Sequence, residues 1–323
     1  MQTRIRPMRD QAMMSRRAAI ALTVISAASV RSVSNAIAQT PVAGDPLPVV
    51  ATFSVLGDLI RAVGGDAIDL QTVVDVGMDA HTFEATPANA IALSEAGLVF
   101  AIGLGFEPWL AQLAEGADGQ FPVVTLTDGL DLIAGEGHGH DHAHDEEKDP
   151  HVWLDVQNAI AMTDRIRAAL VEADPENATS YDANAAAATA NLEELDAWIV
   201  EQVATLPEGR RKLVTSHDTF AYFARRYGFD VVGSVQGLST EEGEPSAMEI
   251  ATLTEEIKAA GVPVVFAETV SNPALVESVA REAGVTLGPP LYTDSLGPAG
   301  SDGATYDGMM RHNVTAIVTA LAG

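Results

Sequence analysis

Short apolar runs alternate with segments of helical periodicity along the first half of the chain. The runs predict buried strands at residues 49–53, 68–74, 98–102 and 122–126. Each strand is followed along the chain by a predicted helix, at residues 55–64, 87–95, 108–113 and 156–172. Alternating strands and helices are typical of a parallel sheet with crossover helices.

The middle of the chain has a different pattern. Residues 175–206 contain no strand signal, and apolar side chains recur at helical spacing, at Leu192, Leu195, Ile199, Val203 and Leu206. This predicts one long helix over about three quarters of the stretch, ended by Pro207 and Gly209. Its central position makes it a rigid connector between two halves.

The alternation restarts after the predicted connector. Strands are predicted at residues 212–215, 230–235, 263–267 and 285–287. The helices expected between and after them cover residues 219–227, 246–260, 273–283 and 306–321. The chain is therefore predicted to be α/β, with two halves of one architecture: an N-terminal half at 46–174, the connector at 175–206 and a C-terminal half at 207–323.

The N-terminus has the features of an export signal. Residues 1–38 carry six arginines and one acid, an apolar run covers 18–30, and Ala36 and Ala38 suit cleavage near Ala38. The Arg16–Arg17 pair leaves both the general and the twin-arginine export routes open. We expect a periplasmic protein. Because the sequence contains no cysteine, we also expect no disulfide and no lipid anchor.

The net charge of the chain limits the classes of molecule that it is expected to bind. The chain has 18 Lys and Arg against 45 Asp and Glu, a formal charge of −27, and removing the arginine-rich signal makes it more acidic still. Such a surface repels nucleic acid and anionic membranes and attracts cations.

A histidine-rich segment at residues 136–148 indicates metal binding. Four histidines alternate with small and acidic residues there, at His138, His140, His142 and His144. Without an apolar period the segment is predicted to be a hydrated loop that attracts metal ions. His151 follows it but leads into an apolar run, which predicts a fixed position instead.

Three histidines come at points where a predicted strand has just ended: His81, His151 and His217. Any one of them alone is more often a capping or turn residue, as we expect of His312 in the last helix. The three histidines together can converge in one cleft, because the strand ends of a parallel sheet meet at one edge. Asp294 lies in a turn after the final strand. Three imidazoles and a carboxylate form a set of ligands that suits zinc.

The segments around these residues resemble one family. They are residues 79–87 (DAHTFEATP), 149–155 (DPHVWLD), 215–220 (TSHDTF) and 292–294 (YTD), which are similar to motifs of the zinc- and manganese-binding solute-binding proteins of ABC transporters (ZnuA-like, cluster A-I). The resemblance implies two (β/α)4-like, Rossmann-type lobes joined by one long helix, with a metal cleft between the lobes. It also implies that His81, His151, His217 and Asp294 are the metal ligands.

One position favours zinc and one departs from the family. Manganese-binding members place Glu at the third ligand, so His217 resembles the zinc branch, with Mn²⁺ as the second choice. Ala80 stands where the family often has Pro, and we expect a changed turn there. We expect Asp155 and Glu268, which could lie near the ligands, to be ordinary cap or turn residues.

The resemblance implies a function without catalysis. A monomer would bind Zn²⁺ in the periplasm and deliver it to the membrane permease of an ABC importer, and it could receive zinc from a periplasmic metallochaperone. Two alternatives stay open from the residues. One is a zinc hydrolase in which Asp294 is the general base, and the other is a zinc buffer or chaperone that works through the histidine-rich loop.

Overall fold

The computed structural model describes residues 44–116, 121–135, 148–237 and 245–323. Residues Thr40–Gly323 form one compact unit. The predicted signal peptide and the histidines from His138 to His144 lie outside the described residues. Within the described ranges, no helix combines the length and the apolar character needed to span a bilayer.

The first half of the chain builds one parallel sheet of four strands in the order β2–β1–β3–β4. The strands are β1 (Leu47–Phe53), β2 (Ile68–Val74), β3 (Leu98–Ala101) and β4 (Val123–Thr125). Strand β1 is central, and Val49 pairs with Leu70 on one side and with Leu98 on the other. A central strand of a parallel sheet is covered on both faces, which explains the continuous apolar run at β1.

Four helices connect and cover this sheet. They are α1 (Ser54–Gly64), α2 (Pro87–Glu95), α3 (Pro108–Gly116) and α4 (Val156–Ala173). Helix α2 begins where Thr86 and Asn89, on either side of Pro87, form a reciprocal capping box. The Thr86 side chain accepts from the Asn89 backbone N–H in the first turn, and this sets the start of the helix.

The stretch predicted as the connector contains helix α5 (Ala178–Ala204), a single helix of 27 residues. It is about 40 Å long at 1.5 Å per residue. Its buried face includes Leu192, Leu195, Ile199 and Val203, as the sequence periodicity predicted.

In the described part of the second half, four strands form two parallel pairs. They are β5 (Lys212–His217) with β6 (Asp230–Gln236), and β7 (Val264–Val265) with β8 (Thr286–Leu287). The Phe266 backbone N–H donates to the Val214 carbonyl at 2.9 Å and brings the two pairs together. The helices are α6 (Ala221–Tyr227), α7 (Ala247–Ala260), α8 (Pro273–Ala283) and α9 (Tyr306–Ala322).

The predicted α/β class is confirmed, and several element boundaries differ from prediction by one to three residues. The strand predicted at 263–267 is limited to two residues. The Phe266 N–H donates to the Val214 carbonyl and the Ala267 carbonyl accepts from the Leu291 N–H, so these two residues do not continue beside β8. The helix predicted from residue 219 begins at Ala221. The limits of the two predicted lobes stay predictions.

Side chains from both halves share one large core, which extends from Val49 in β1 to Leu321 in α9. A second, smaller core lies between the second-half strands and helices α7 and α8, with Val214, Ile257 and Val265 among its members. The residues singled out as candidate ligands lie at the last residue of a strand or in the connection that follows one.

Candidate metal centre

The four predicted ligands come together in the folded chain. His81 lies in the connection from β2 to α2, His151 precedes α4, His217 is the last residue of β5, and Asp294 follows Leu291 in the connection from β8 to α9. One ligand atom from each lies within 4.8 Å of all the others, and all four residues are buried. The parallel topology thus gathers residues that are up to 213 positions apart in sequence.

The distances between these atoms suit a small metal ion. His81 Nε2 lies 3.4 Å from His151 Nε2 and 3.7 Å from Asp294 Oδ2. His151 Nε2 is 3.8 Å from Asp294 Oδ1, and His217 Nε2 is 3.1 Å from Asp294 Oδ2. A tetrahedral zinc ion with bonds of about 2.1 Å holds its ligands about 3.4 Å apart.

The Asp294 carboxylate has an unusual environment. It is fully buried, and in the part of the chain that the structure describes neither oxygen accepts a hydrogen bond of normal geometry. A buried carboxylate without such partners is costly unless a cation compensates it. The donor set and this carboxylate fit a divalent metal ion.

Two of the candidate ligands share one type of turn. The backbone N–H of His81 donates to Asp79 Oδ1 at 2.9 Å, and that of His151 donates to Asp149 Oδ1 at 2.9 Å. The turn with Ala80, which stands where the family often has Pro, therefore has the same hydrogen bond as the turn with Pro150. The expectation of a changed turn is wrong in that respect. The bond is between residues two apart and does not need a proline between them.

Asp149 also contacts the ring of His151. Its Oδ1 lies 2.7 Å from His151 Nδ1, which is the ring nitrogen that faces away from the other ligands. A carboxylate at that position accepts a hydrogen bond from Nδ1–H, which keeps the proton on Nδ1 and leaves the lone pair of Nε2 for a metal. The sequence contained this signal in its Asp-x-His spacing.

Glu268 makes the corresponding contact to His217. Its side chain is 2% exposed, and Oε2 lies 2.6 Å from His217 Nδ1. The prediction of an ordinary turn residue is wrong, because the chain turns inward after β7 and buries the carboxylate. Asp155, by contrast, is confirmed as the N-cap of α4, where its side chain accepts from the Gln157 backbone N–H at 2.9 Å.

Aromatic rings close one side of the site. The Phe106 ring packs edge-on against His81 with the centroids 4.7 Å apart, and Trp153 packs against His151 at 5.4 Å. The Trp153 indole N–H donates to the carbonyl of Thr293, the neighbour of Asp294, at 3.0 Å. This apolar wall limits water at the site and strengthens electrostatic interactions within it.

Burial and charge shift the pKa values of the cluster in different directions. Burial lowers the pKa of His81 to about 3, with the Asp294 charge opposing it. Burial also acts to lower the pKa of His217, but the carboxylates of Glu268 and Asp294 outweigh it and raise that pKa well above the ordinary value. For Asp294, burial is outweighed by His217 and His151, so its pKa is lowered.

Sequence reasoning missed Glu107, which is buried beside the aromatic wall. It accepts hydrogen bonds from the Thr52 hydroxyl at 2.7 Å and from the backbone N–H groups of Ile102 and Gly103 at 2.9 and 3.0 Å. Burial raises its pKa from 4.5 to about 7. Glu107 thereby holds the turn after β3 that carries Phe106. Residue His312, in α9, is half-buried with Nε2 3.1 Å from the Pro290 carbonyl, outside the cluster.

The region that contains the four clustered residues matches a known protein family. The family described as zinc-uptake complex component A, periplasmic (ZnuA), matches residues 49–320. The chain belongs to this family. The match includes all four clustered residues, so the resemblance noted from the sequence motifs is confirmed.

Individual relatives carry different metals in their names. The chain is 37% identical over 279 residues to the manganese-binding lipoprotein MntA of Halalkalibacterium halodurans, covering 86% of this chain and 90% of the relative. It is 31% identical over 284 residues to the iron ABC transporter substrate-binding lipoprotein MtsA of Streptococcus pyogenes, with 86% and 90% covered. The periplasmic zinc-binding protein TroA of Treponema pallidum superposes with a TM-score of 0.77 at 30% identity, covering 86% of this chain and 99% of TroA.

The family establishes the general function. The protein is a periplasmic metal-binding, substrate-binding component of an ABC transporter, which implies a membrane permease as its partner. Members of the family are solute-binding proteins and not enzymes, which rules out the hydrolase alternative. The metallochaperone stays a prediction.

One expectation about location is wrong. We expected no lipid anchor because the sequence lacks cysteine, but the relatives that match along most of their length are named lipoproteins. The absence of one residue type was too narrow a basis for that conclusion. A location outside the cytoplasm otherwise agrees with these relatives.

Proposed function

We propose that this protein binds Zn²⁺ through His81, His151, His217 and Asp294 and delivers it to the permease. The observation that carries the proposal is the convergence of three imidazole nitrogens and one buried carboxylate within 4.8 Å. Three nitrogen donors and one oxygen donor form a closed, four-ligand zinc site. In this role zinc is the cargo of the protein.

The third ligand supports zinc over manganese. Relatives are named for manganese, iron and zinc, so their names leave the choice of metal open. An imidazole at His217 adds a nitrogen donor, and nitrogen donors bind zinc more strongly than manganese along the Irving–Williams series. We therefore infer that zinc is preferred when both ions are present.

The histidine-rich segment has a proposed role in capture. His138, His140, His142 and His144 lie outside the described residues, but the residues that flank the segment are described. Ala134 and Lys148 form an antiparallel bridge, and His151 follows three residues later. A segment that ends so close to a ligand can pass an ion to the site without being part of it.

Competitive titration tests the metal and the ligands together. The metal-free protein is titrated with zinc, manganese and iron(II) against a chromophoric chelator. We expect one tight zinc site that is lost in His81→Ala, His151→Ala or His217→Ala and kept when residues 138–144 are deleted. As a control, Glu193→Gln changes an exposed acid on α5 and leaves binding unaltered. Loss of the tight site on deleting the segment, or manganese binding tighter than zinc, would overturn the proposal.

A further inference from the structure

Glu268 occupies an unusual place for a charged side chain. It follows β7 and is almost completely buried, yet the described residues place no Lys or Arg in ion-pair contact with it. Its ion-pair partner is a ring nitrogen of His217, and a buried carboxylate needs strong compensating contacts to be stable.

Its partners are hydrogen-bond donors. Oε1 accepts from the Ser216 hydroxyl and from the His217 backbone N–H, both at 3.0 Å. Oε2 accepts from the Thr293 hydroxyl at 2.8 Å and lies 2.6 Å from His217 Nδ1. Hydrogen bonds donated to a carboxyl group favour its ionised form. Glu268 therefore places a negative charge directly behind His217.

This arrangement puts the His217 ring between two carboxylates. Nδ1 is 2.6 Å from Glu268, and Nε2 is 3.1 Å from Asp294. Asp294 alone compensates half of the charge of a divalent ion. Because a carboxylate beside the far ring nitrogen of an imidazole raises the basicity of the ring, Glu268 contributes further negative charge to the ion through His217.

We propose that Glu268 is a specificity-determining residue: its charge makes His217 a harder, more anionic ligand and so retains Mn²⁺ as a competing ion. The inference rests on the proposed function, since it requires that His217 binds the metal. Hard ions depend on anionic donors more than zinc does, whereas zinc gains most from nitrogen donors. Removing the charge should therefore weaken manganese binding more than zinc binding.

The test compares zinc and manganese affinities in the full chain. In Glu268→Gln the shape is kept and the charge is lost, and we expect the affinity for metal to fall by about 10–100-fold. The loss should be larger for manganese, so that the ratio of zinc to manganese affinity rises by about tenfold. An unchanged ratio overturns the proposal and leaves Glu268 a merely structural residue.

A matched variant separates charge from structure. Thr293→Val removes one hydrogen bond to Glu268 Oε2 and keeps the charge, so both affinities should fall together with the ratio unchanged. A ratio that shifts as much in Thr293→Val as in Glu268→Gln contradicts a role for the charge. If Glu268→Gln does not fold, Glu268→Asp keeps the charge but draws it away from His217, and the ratio should shift part of the way towards zinc. No shift in a folded Glu268→Asp then overturns the proposal.

The outcome is distinguishable from failure of the proposed function. A tight zinc site that survives His217→Ala would show that His217 is not a ligand, and the proposed function would fail. A tight site that requires His217 but shows the same metal ratio with and without Glu268 would refute only the specificity role.

Discussion

The Tyr222 hydroxyl donates to the backbone carbonyl of Asp149 at 2.9 Å. The hydroxyl oxygen of Tyr222 also accepts from the Ile133 backbone N–H at 3.1 Å. Tyr222 is fully buried in α6, the helix that follows His217. One phenol therefore ties the helix that follows His217 to the segments on both sides of residues 136–147 and to the turn that holds His151.

Tyr222→Phe should destabilise the metal-free protein. The substitution keeps the ring but leaves the half-buried Ile133 N–H and the buried Asp149 carbonyl without their shared partner, at a cost of about 1–3 kcal/mol. Urea denaturation measures this as a lower midpoint with an unchanged slope. Tyr292→Phe, which removes a hydroxyl from a half-buried ring elsewhere, provides the comparison. Equal effects of the two substitutions would show that the bridge contributes little.

Zinc should stabilise the folded protein through Asp294. A ligand at 100 times its dissociation constant adds about 2.7 kcal/mol, which raises the melting temperature by about 5 °C or more in a chain of this size. Asp294→Ala should abolish the shift, because it removes the anionic ligand. Differential scanning fluorimetry with and without zinc measures it, and removal of the metal with a chelator should reverse it. A full shift in the variant would place the ion elsewhere.

Metal binding should release a proton and strengthen as the pH rises. The carboxylates of Glu268 and Asp294 outweigh burial and raise the pKa of His217 well above its ordinary value, so at neutral pH the metal-free ring holds a proton that a metal must displace. Below that pKa, affinity rises with pH. Calorimetry at pH 7 in two buffers of different ionisation enthalpy should show about one proton released. No release at pH 7 would contradict this protonation of His217.

The stability of the metal-free protein should carry a pH signature of Glu107. Burial raises its pKa from 4.5 to about 7, so the folded state holds this proton more tightly than the unfolded state. Its contribution is present below pH 4.5 and is lost as the pH rises through about 7, by about 3 kcal/mol in total.

Denaturation of Glu107→Gln between pH 4.5 and 8 isolates this contribution. The substitution changes stability at every pH, because an amide cannot accept from all three donors of Glu107. Only the difference in slope matters, and the variant should lose less stability than the parent on going from pH 5 to 8. Parallel pH profiles for the two proteins would show that Glu107 does not titrate in this range.

The helices and strands were predictable where local signals agree with the fold. Helix α2 has its capping residues beside it in the sequence, and α5 shows its buried face as a repeating apolar pattern. The strand expected at 263–267 was overestimated, because its hydrogen-bond partners lie in other segments. Apolar runs predict burial, but the length of a strand depends on the neighbours that pair with it.

The sequence by itself determined the kinds of element, their order and the four clustered residues. Those residues were visible because the strand ends of a parallel sheet meet at one edge, so position along the chain predicts proximity. Tertiary structure alone decided which ring nitrogens face the cluster and which carboxylates lie behind them. Glu268 is 51 positions from His217, and in the sequence it looks like any acid after a strand. Its burial, and hence the strength of its electrostatic effect on His217, arises only when distant segments pack and exclude water around it.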